Sequence, residues 1–597
     1  MFSIKFVESD APGIKIATGR INNNMKTIAV TSLILFWVHF TFAQGFHDPH
    51  GFGFGGSGHD GGNVILRSPN GKHIIVCGFF RDRVNISPSG TPYYLNSHGS
   101  EDIFINSYTP DFVPEWGIAW GGKFPDRCNQ ACMDGDGNLY VIGNFRDTVE
   151  FGGPSFRKIS NGINDVFVAK INVEGTTVWL RQIGSTQDDQ GRSIAVDHDG
   201  HLYVTGTFQG ALQFEKSPVL SLNAVKNYDV FTACMSTDGD FIWSRSVGGI
   251  NDDQVFTLSL DQESNIYVCG TYNSDLDFDP GPDTVRRLQH GVYPNMFILK
   301  LNAAGLFQWV NTFGGDNTLI PYQCRINGSG KLVITGTFRS TVDFDPDSSI
   351  VALTAPGTLG DAFVTMYSDD GALIWARQLG GNLNEIGLSV CFDASDNVFT
   401  TGCFEDRADF DPGPGQHLMY TDGRADNNDI YISKLSAQGA FLDAYPLQGS
   451  NEDIGYSICL GVTNEVYVTG VFSDRLNINP GKSDSIYLTS AGFTDVPVVS
   501  LLQTALSTEA PVLNHCTIYP NPLEHHLTIA FESTSFAENI HLDIYDMSGH
   551  LLYAFPVRKI AKGLNQINLD LLQLPRGIYT LRLSAGDQIF TKKLVVN

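Results

Sequence analysis

Short stretches of alternating apolar and polar residues recur along most of this chain, and this alternation predicts β-strands. In one well-defined unit the stretches lie at residues 193–197, 201–208, 229–235 and 241–247. The pairs Asp199-Gly200 and Asp238-Gly239 lie between them, and such pairs suit the positive φ angles that tight hairpins require. No stretch has a convincing helical period of hydrophobic residues. The pattern therefore predicts units of four antiparallel strands.

The same unit recurs seven times at a nearly constant spacing. A glycine in the predicted second strand recurs every 63 to 68 residues, at Gly78, Gly143, Gly206, Gly270, Gly336, Gly402 and Gly470. A second marker is a tryptophan followed five residues later by a glycine, at Trp116/Gly121, Trp179/Gly184, Trp243/Gly248, Trp309/Gly314 and Trp375/Gly380. The sixth copy has Ala444-Tyr445 in place of the tryptophan. Self-similarity at a fixed period is the sequence signature of a repeat architecture.

Four-stranded antiparallel units repeated around an axis form a β-propeller, which protects the edges of its sheets. The seventh copy supplies three predicted strands, at residues 457–460, 465–472 and 495–501, and then stops. A strand-like segment at residues 50–56 precedes the first copy and belongs to no unit of its own. We predict that this segment completes the last blade. Residues 46–503 are thus predicted to form an all-β, seven-bladed β-propeller with four strands per blade, closed by the N-terminal strand.

The N-terminal region has the pattern of an export signal. Met25-Lys26 gives it a positive start, residues 28–42 are mostly apolar, and Ala43 is a small residue at the end of the run. This pattern predicts a signal peptide over residues 25–43, cleaved between Ala43 and Gln44, with a membrane anchor as the alternative. The polar residues 1–24 would precede that signal, so we predict that translation starts at Met25 and that residues 1–24 are a mis-assigned start. No later apolar run reaches the length of about 18 residues that a membrane helix needs, which predicts no transmembrane span in the mature chain.

A second module follows a polar linker at residues 504–515. Its alternating stretches lie at residues 526–531, 540–545, 551–555, 565–569, 578–584 and 588–596. Short alternating strands separated by turn residues predict a small Ig-like β-sandwich over residues 516–597.

Both modules resemble known families. The recurring W-x4-GG followed by D-x-x-G-N-x-Y-V-T-G-x-F resembles the seven-copy β-propeller repeat of secreted bacterial proteins. The C-terminal module is similar to the sorting domain of type IX secretion substrates, on Tyr519, Pro520, Asn521, Pro522, Gly549, Gly577, Lys592 and Lys593. This resemblance implies passage through the general secretory pathway into the periplasm and recognition by the type IX machinery at the outer membrane. It also implies that the sorting domain is usually removed, leaving the rest of the chain secreted or attached to the cell surface.

Composition narrows the classes of partner. The 597 residues carry 38 Lys and Arg against 64 Asp and Glu, a formal charge of −26. Binding to nucleic acid or to an anionic membrane needs clustered cations, so the acidic balance argues against both kinds of partner. With 42% hydrophobic and 17% charged residues, the chain can bury a large core.

Ten cysteines in an exported chain would allow a disulfide framework. However, Cys132, Cys391 and Cys459 share one position of the repeat, where another copy has Ala195. We therefore predict that the cysteines are small buried strand residues that remain free.

The candidate chemistry is acidic. Six of the seven copies place a carboxylate just before the first strand: Asp60, Asp126, Asp189, Asp253, Glu385 and Asp453, with Leu319 at this position in the fifth copy. A second set lies between the second and third strands: Asp277, Asp279, Asp343, Asp345, Asp409 and Asp411. Both sets are expected at the same face, where clustered carboxylates would favour Ca²⁺, the one cofactor that the sequence suggests. The alternative is that each aspartate caps its own turn by accepting main-chain N–H groups.

No symmetry-breaking catalytic set stands out, so the leading hypothesis is an exported scaffold that binds a glycan or a protein through one propeller face. The alternative is a secreted polysaccharide hydrolase or lyase that uses a pair of carboxylates of the acidic face for acid–base chemistry. A structural envelope component without a soluble ligand is a third possibility.

Overall fold

A computed structural model describes most of the chain after the first 45 residues. The described residues are 46–88, 90–217, 220–314, 318–347, 349–357, 359–422, 427–462, 464–482 and 485–503, followed by 513–519, 526–533, 540–546, 551–555, 563–570, 574–585 and 588–596. The predicted signal peptide and its cleavage site at Ala43 and Gln44 lie outside these ranges, as do Pro520, Asn521, Pro522 and Gly549. The described segments contain no helix that is both long and apolar enough to cross a membrane.

Within residues 46–503, the described segments form seven four-stranded antiparallel sheets. In order from first to fourth strand, they are Gly61–Arg67, Ile74–Phe80, Asp102–Tyr108 and Pro114–Gly122 (sheet 1); Arg127–Met133, Leu139–Phe145, Asp165–Ile171 and Thr177–Gly184 (sheet 2); Gln190–Val196, His201–Phe208, Asp229–Ser236 and Phe241–Val247 (sheet 3); Gln254–Leu260, Ile266–Tyr272, Asn295–Leu301 and Phe307–Phe313 (sheet 4); Leu319–Ile326, Leu332–Phe338, Asp361–Tyr367 and Leu373–Gly381 (sheet 5); Ile386–Phe392, Val398–Glu405, Asn428–Leu435 and Phe441–Gly449 (sheet 6); and Ile454–Leu460, Glu465–Val471, Val496–Gln503 and Phe46–Phe54 (sheet 7).

The fourth strand of sheet 7 comes from the start of the described chain. Phe46–Phe54 pairs antiparallel with Val496–Gln503, with Phe46 opposite Gln503 and Phe54 opposite Val496. This strand begins before the predicted start at His50, because a bulge near His50 lets the pairing continue to Phe46. Its outer side packs on sheet 1, where the rings of Phe54 and Phe104 lie 5.2 Å apart between centroids.

The glycine that marks each second strand faces a crowded neighbour. A Cβ atom at Gly78 would lie 2.0 Å from the main-chain oxygen of Gly61, and one at Gly143 would lie 1.8 Å from that of Arg127. The equivalent first strands each carry a β-bulge opposite this glycine. Only a residue without a side chain fits beside the bulge, which explains the constant glycine of the repeat.

The segment between the second and third strands of each sheet forms a small hairpin. The hairpins are Arg83–Asn85 with Tyr94–Asn96, Thr148–Glu150 with Arg157–Ile159, Ala211–Phe214 with Ser221–Asn223, Leu276–Asp277 with Arg286–Arg287, Thr341–Asp343 with Ala352–Thr354, Arg407–Asp409 with Leu418–Tyr420, and Arg475–Asn477 with Tyr487–Thr489. Four of them extend the fourth strand of the preceding sheet, as in the pairing of Val149 with Gly122 and of Gln448 with Asn477. These hairpins cover outer sheet edges that would otherwise be open to another chain.

The tryptophan of the second marker links neighbouring sheets. The indole N–H of Trp179 donates to the Thr237 carbonyl at 2.9 Å, across from sheet 2 to the hairpin between the third and fourth strands of sheet 3. Trp375 makes the same bond to Ala437 at 3.1 Å. In the sixth copy the register places Asp443, and not the expected Ala444-Tyr445, at the tryptophan position, and its carboxylate accepts the main-chain N–H of Phe46 at 2.6 Å. Tyr445 instead donates its hydroxyl to the Ile478 carbonyl at 3.1 Å, in the small hairpin of sheet 7. The recurring aromatic residue is therefore a packing element between sheets.

The C-terminal module consists of two antiparallel sheets in the described residues. Leu513–Tyr519, His526–Ser533 and Gly563–Asp570 form one sheet, and Leu551–Phe555, Ile540–Tyr545, Gly577–Ala585 and Gln588–Val596 form the other. Both sheets contribute to one core, which includes Ile529 and Ile567 from the first and Ile544 and Leu581 from the second. The strand at Leu513–Tyr519 was not predicted, because part of it lies within the predicted linker 504–515.

Candidate functional site

The first predicted set of carboxylates lies in the connections between sheets, and all six are fully buried: Asp60, Asp126, Asp189, Asp253, Glu385 and Asp453. The expectation that they contribute to an exposed acidic face is therefore wrong. They are buried because each lies between the end of one sheet and the start of the next, underneath the hairpin that follows the second strand.

These carboxylates hold the connections together by accepting main-chain N–H groups. The N–H groups of Gly122 and Arg146 each donate to Asp126 at 2.9 Å, one to each oxygen. Asp253 likewise accepts from Gly249 at 2.7 Å and from Asn273 at 3.0 Å. One N–H donor lies four residues before the acid, and the other lies just after the second strand of the same sheet. Each carboxylate therefore ties the segment that leads into a sheet to the start of that sheet's hairpin.

A second set of buried carboxylates was missed by the sequence reasoning. It occupies the first residues of the third strands and the residues next to them: Asp102, Asp165, Asp229, Asp361, Asp429 and Asp495. The signal was present as an aspartate just before the apolar run of six of the seven third strands. The glycine of the tryptophan marker makes room for it, since a Cβ atom at Gly121 would lie 2.0 Å from the carboxyl carbon of Asp102.

The two sets come together as pairs across six of the seven sheet boundaries. Burial, together with the nearby charge of Asp102, raises the pKa of Asp126 to about 8. Burial likewise raises the pKa of Glu385 to about 8, with Asp361 as the neighbouring charge. The same combination acts on Asp60 beside Asp495, Asp189 beside Asp165, Asp253 beside Asp229, and Asp453 beside Asp429.

Many of these carboxylates keep one buried oxygen without a hydrogen-bond donor among the described residues. These atoms are the Oδ1 atoms of Asp102, Asp229, Asp361 and Asp495, Oε1 of Glu385 and Oδ2 of Asp453. A protonated carboxyl group is itself a donor, whereas an ionised one only accepts. We therefore expect one member of each pair to retain its proton, which would supply a donor and remove the repulsion.

One sheet boundary has no such pair. Between sheets 4 and 5, Leu319 replaces the acid of the first set and Asn295 replaces the aspartate of the second. The side chain of Asn295 lies in the usual place, with its Cγ 2.4 Å from where a Cβ atom at Gly314 would be. Both carboxylates of the pair are therefore absent at this boundary, as expected if the two acids act together.

The second predicted set lies on the hairpins and organises their turns. Asp343 Oδ1 accepts from the N–H groups of Asp345 at 3.1 Å and Val351 at 2.9 Å. Asp409 Oδ1 accepts in the same way from Asp411 at 3.1 Å and His417 at 2.8 Å. Asp277 bonds to Asp279 and Val285, Asp279 to Gly281, and Asp411 to Gly413. These contacts are the turn-capping bonds that the sequence offers as the alternative to metal binding.

Calcium binding by these twelve residues stays a prediction. In the part of the chain that the structure describes, no three His, Cys, Asp or Glu side chains come close enough together to hold an ion. A calcium ion takes six to eight oxygen ligands, and a buried pair supplies at most four.

The nine cysteines of residues 46–503 are all free. Cys77 and Cys269 are fully buried, as predicted. Cys391 and Cys459 are instead half-buried and line a cavity of about 260 Å³, together with Arg67 and Arg325. Two of the three cysteines at this repeat position therefore face a cavity.

A larger cavity of about 480 Å³ lies among the first strands of sheets 1, 2, 3 and 7. Its described lining is Asn63, Phe79, Arg127, Asn129, Asn144, Gln190, Arg192 and Tyr456. Two of these residues are cationic and none is acidic, in a chain with a net charge of −26. The volume lies within the range of roughly 300–1,000 Å³ that is typical of small-molecule sites.

The β-bulge of the first strands supplies this cavity with side chains. The residue at the bulge differs from copy to copy: Asn63, Asn129, Arg192, Phe256, Tyr322, Leu388 and Tyr456. Polar members come from sheets 1 to 3, and apolar or aromatic members from sheets 4 to 7. Sequence reasoning missed this set because it followed the residues that repeat, and these are the ones that do not.

The two arginines of the cavity are held differently. Arg127 pairs with Glu101 and stacks on Phe79, with its guanidinium carbon 3.8 Å from the ring centroid. Arg192 donates to Gln190 Oε1 at 2.7 Å, while its buried Nε has no acceptor among the described residues. Burial lowers the pKa of Arg192, and the nearby Asp188 acts in the opposite direction.

Comparison with known proteins assigns both modules. Residues 517–597 match the family of secretion system C-terminal sorting domains. The chain is therefore exported by type IX secretion to the cell surface or beyond. Residues 178–207 match the β-propeller repeat family, over the fourth strand of sheet 2 and the first two strands of sheet 3. The protein is thus a type IX cargo with β-propeller repeats.

Individual relatives are distant. An uncharacterised WD repeat-containing protein of Acanthamoeba polyphaga mimivirus is 22% identical over 491 residues, which cover 68% of this chain and 35% of that protein. The chain therefore spans about a third of the length of this relative.

Two solved structures were also matched. The extracellular domain of a hybrid two-component system protein from B. thetaiotaomicron is 11% identical and has a TM-score of 0.18, with 91% of this chain and 75% of that chain covered. PorZ, a surface component of the type IX secretion system of Porphyromonas gingivalis, is 9% identical with a TM-score of 0.16, covering 92% and 100%. At these scores neither likeness carries an argument about this chain.

Proposed function

We propose that the chain is an exported scaffold whose seven sheets close into a seven-bladed propeller and bind a glycan or a protein partner. The observation that carries the binding role is the contrast between two kinds of position. The buried carboxylates, glycines and tryptophans repeat from sheet to sheet, as structural residues do. The bulge residues around the larger cavity change in chemistry, as expected of a site on a repeated scaffold.

Contacts between first strands support the closed ring. Each first strand packs on that of the next sheet, and Ile454–Leu460 of sheet 7 packs on Gly61–Arg67 of sheet 1. At this seam the N–H of Ile65 donates to the Ser457 hydroxyl at 3.1 Å, and the N–H of Leu258 donates to Ser193 at the same distance between sheets 3 and 4. A chain without residues 46–54 should unfold at a clearly lower temperature than the full chain. An unchanged unfolding temperature would show that this strand does not close the ring.

The Ig-like identity of the C-terminal sandwich and the predicted signal peptide belong to the same proposal. Translation would start at Met25, the signal peptide would be cleaved between Ala43 and Gln44, and the type IX machinery would recognise residues 516–597. A chain that ends at Gln503 should accumulate in the periplasm, while the full chain reaches the surface or the medium. Arrival of the shortened chain at the surface would contradict the sorting role.

The binding role is tested with the purified full chain on a glycan array and on proteins from an outer-membrane preparation, each with and without EDTA. Saturable binding of a glycan or a protein supports the proposal, and an effect of EDTA would support a role for Ca²⁺. Absence of binding to both would leave the structural envelope role. The hydrolase or lyase alternative gains no support from the carboxylates of the first set, because they are buried and bonded to main-chain N–H groups.

A further inference from the structure

We propose that the larger cavity is a binding site for a carboxylated sugar residue, with Arg192 as the group that recognises the carboxylate. This inference rests on the proposed binding function and names the class of ligand. It stands on the charge of the cavity, on the Arg192 guanidinium that Gln190 holds in the cavity wall and on the mixture of side chains at the bulge.

The charge of the cavity is opposite to that of the chain. Arg127 and Arg192 line it, and the carboxylates nearest to them lie outside the lining. Glu101 forms an ion pair with Arg127. Asp188 accepts from Gln190 Nε2 at 3.0 Å, and the same Gln190 side chain accepts from Arg192 through its Oε1. The lining itself is therefore cationic, with no carboxylate among its residues.

Arg192 supplies the specific donor. One terminal nitrogen of its guanidinium is fixed on Gln190 Oε1 at 2.7 Å, and Arg192 lies in the cavity wall. A carboxylate in the cavity would accept from the guanidinium, and the fixed side chain would lose little freedom on binding.

The remaining lining fits a sugar better than a simple anion. Tyr456 offers a flat aromatic surface, against which the C–H face of a pyranose can pack. Asn129 and Asn144 offer planar amides, and they are held in place because Asn129 Nδ2 donates to Asn144 Oδ1 at 2.9 Å and to the Gly191 carbonyl at 2.7 Å. The hydroxyl groups of a sugar can hydrogen-bond to these fixed amides while its ring packs on the aromatic side chain. Inorganic phosphate would contact only the arginines.

The experiment measures binding to the full chain by titration calorimetry, with tri-galacturonate as the probe and galactotriose as its neutral counterpart. The expected result is binding of tri-galacturonate at least tenfold tighter than galactotriose, and at least a tenfold loss in Arg192→Gln. Arg325→Gln, which changes an arginine of the other cavity, is the matched control and should stay within twofold of the unchanged chain. If Arg192→Gln does not fold, Tyr456→Ala replaces it, with at least a threefold loss expected.

Three results would overturn the inference: equal binding of the charged and neutral sugars, an undiminished affinity in Arg192→Gln or in Tyr456→Ala, or displacement of the sugar by inorganic phosphate at equal concentration. Binding of some other glycan or of a protein, without binding of tri-galacturonate, would overturn this inference while the proposed scaffold function stands.

Discussion

Asp361 and Glu385 face each other across the boundary between sheets 5 and 6, and each has a buried carboxylate oxygen without a donor among the described residues. Gly380 and Gly381 lie between them. A Cβ atom at Gly380 would stand 2.3 Å from an oxygen of Asp361, and the N–H of Gly381 donates to Glu385 at 3.0 Å. Two acids are therefore placed where only one can ionise at low cost.

This arrangement predicts that the propeller module is most stable in mild acid. The pKa of Glu385 is raised by burial to about 8, from about 4.3 in an unfolded chain. The folded state thus binds more protons than the unfolded state between these values, so stability is full below the lower value and falls as the pH rises through the upper one. The thermal unfolding temperature should fall steadily from pH 5 to pH 9. A rise over that interval would contradict the proposed proton retention.

Replacing Glu385 with glutamine should remove part of that pH dependence. The amide stays neutral and can donate to the orphan oxygen of Asp361, so the free energy of unfolding should increase at pH 8 by about 1–3 kcal/mol, the cost of a buried unsatisfied group. At pH 5 the gain should vanish, because the carboxyl of the natural residue is then protonated. Urea unfolding at both pH values measures the effect, and Asp136→Asn at an exposed turn is the control. Equal effects at the two pH values would show that ionisation is not the cause.

The link between Trp179 and Thr237 should contribute measurably to stability. Trp179→Phe keeps most of the buried ring but loses the indole N–H bond at 2.9 Å, and the expected loss is about 0.5–1.5 kcal/mol. Val178→Ala, at a side chain that is 49% exposed on the same strand, should change the free energy of unfolding by less than about 0.5 kcal/mol. Urea titrations of the two variants and the natural chain measure the difference. Equal stability of Trp179→Phe and the natural chain would show that this hydrogen bond does not stabilise the contact between the sheets.

Removal of calcium should leave the unfolding temperature unchanged. The oxygens of Asp343, Asp409 and Asp411 already accept main-chain N–H groups, so the turns form without an ion. A site occupied at a hundred times its dissociation constant would add about 2.7 kcal/mol. Calorimetric scans in 1 mM CaCl2 and in EDTA distinguish the two cases, and a shift of several degrees would support the calcium prediction instead.

Buried thiols should be unreactive in the folded chain. Burial raises the pKa of Cys403 to about 12 and that of Cys77 well above its ordinary value. Since the thiolate is the reactive form, iodoacetamide at pH 8 should leave these two residues unlabelled until urea is added. Peptide mass spectrometry reports each site. Labelling at Cys403 before unfolding would mean that sheet 6 opens locally.

The sequence by itself determined the repeated strands, because alternation of apolar residues and turn pairs such as Asp238-Gly239 act over a few residues. It also determined the C-terminal sorting module through its local motifs. Only the tertiary structure decided what the acids do. Asp102 belongs to one copy of the repeat and Asp126 to the next, and the two carboxyl groups come together only at the boundary between the sheets. Because both are buried there, they form an internal pair and not part of the predicted acidic face. The cavity beside Arg192 could not be predicted from the sequence, since its lining comes from four sheets and its bulge residues differ from copy to copy. The pattern of neighbouring residues determines the strands and turns. The burial of a side chain and its contacts with distant residues arise only when those strands pack together.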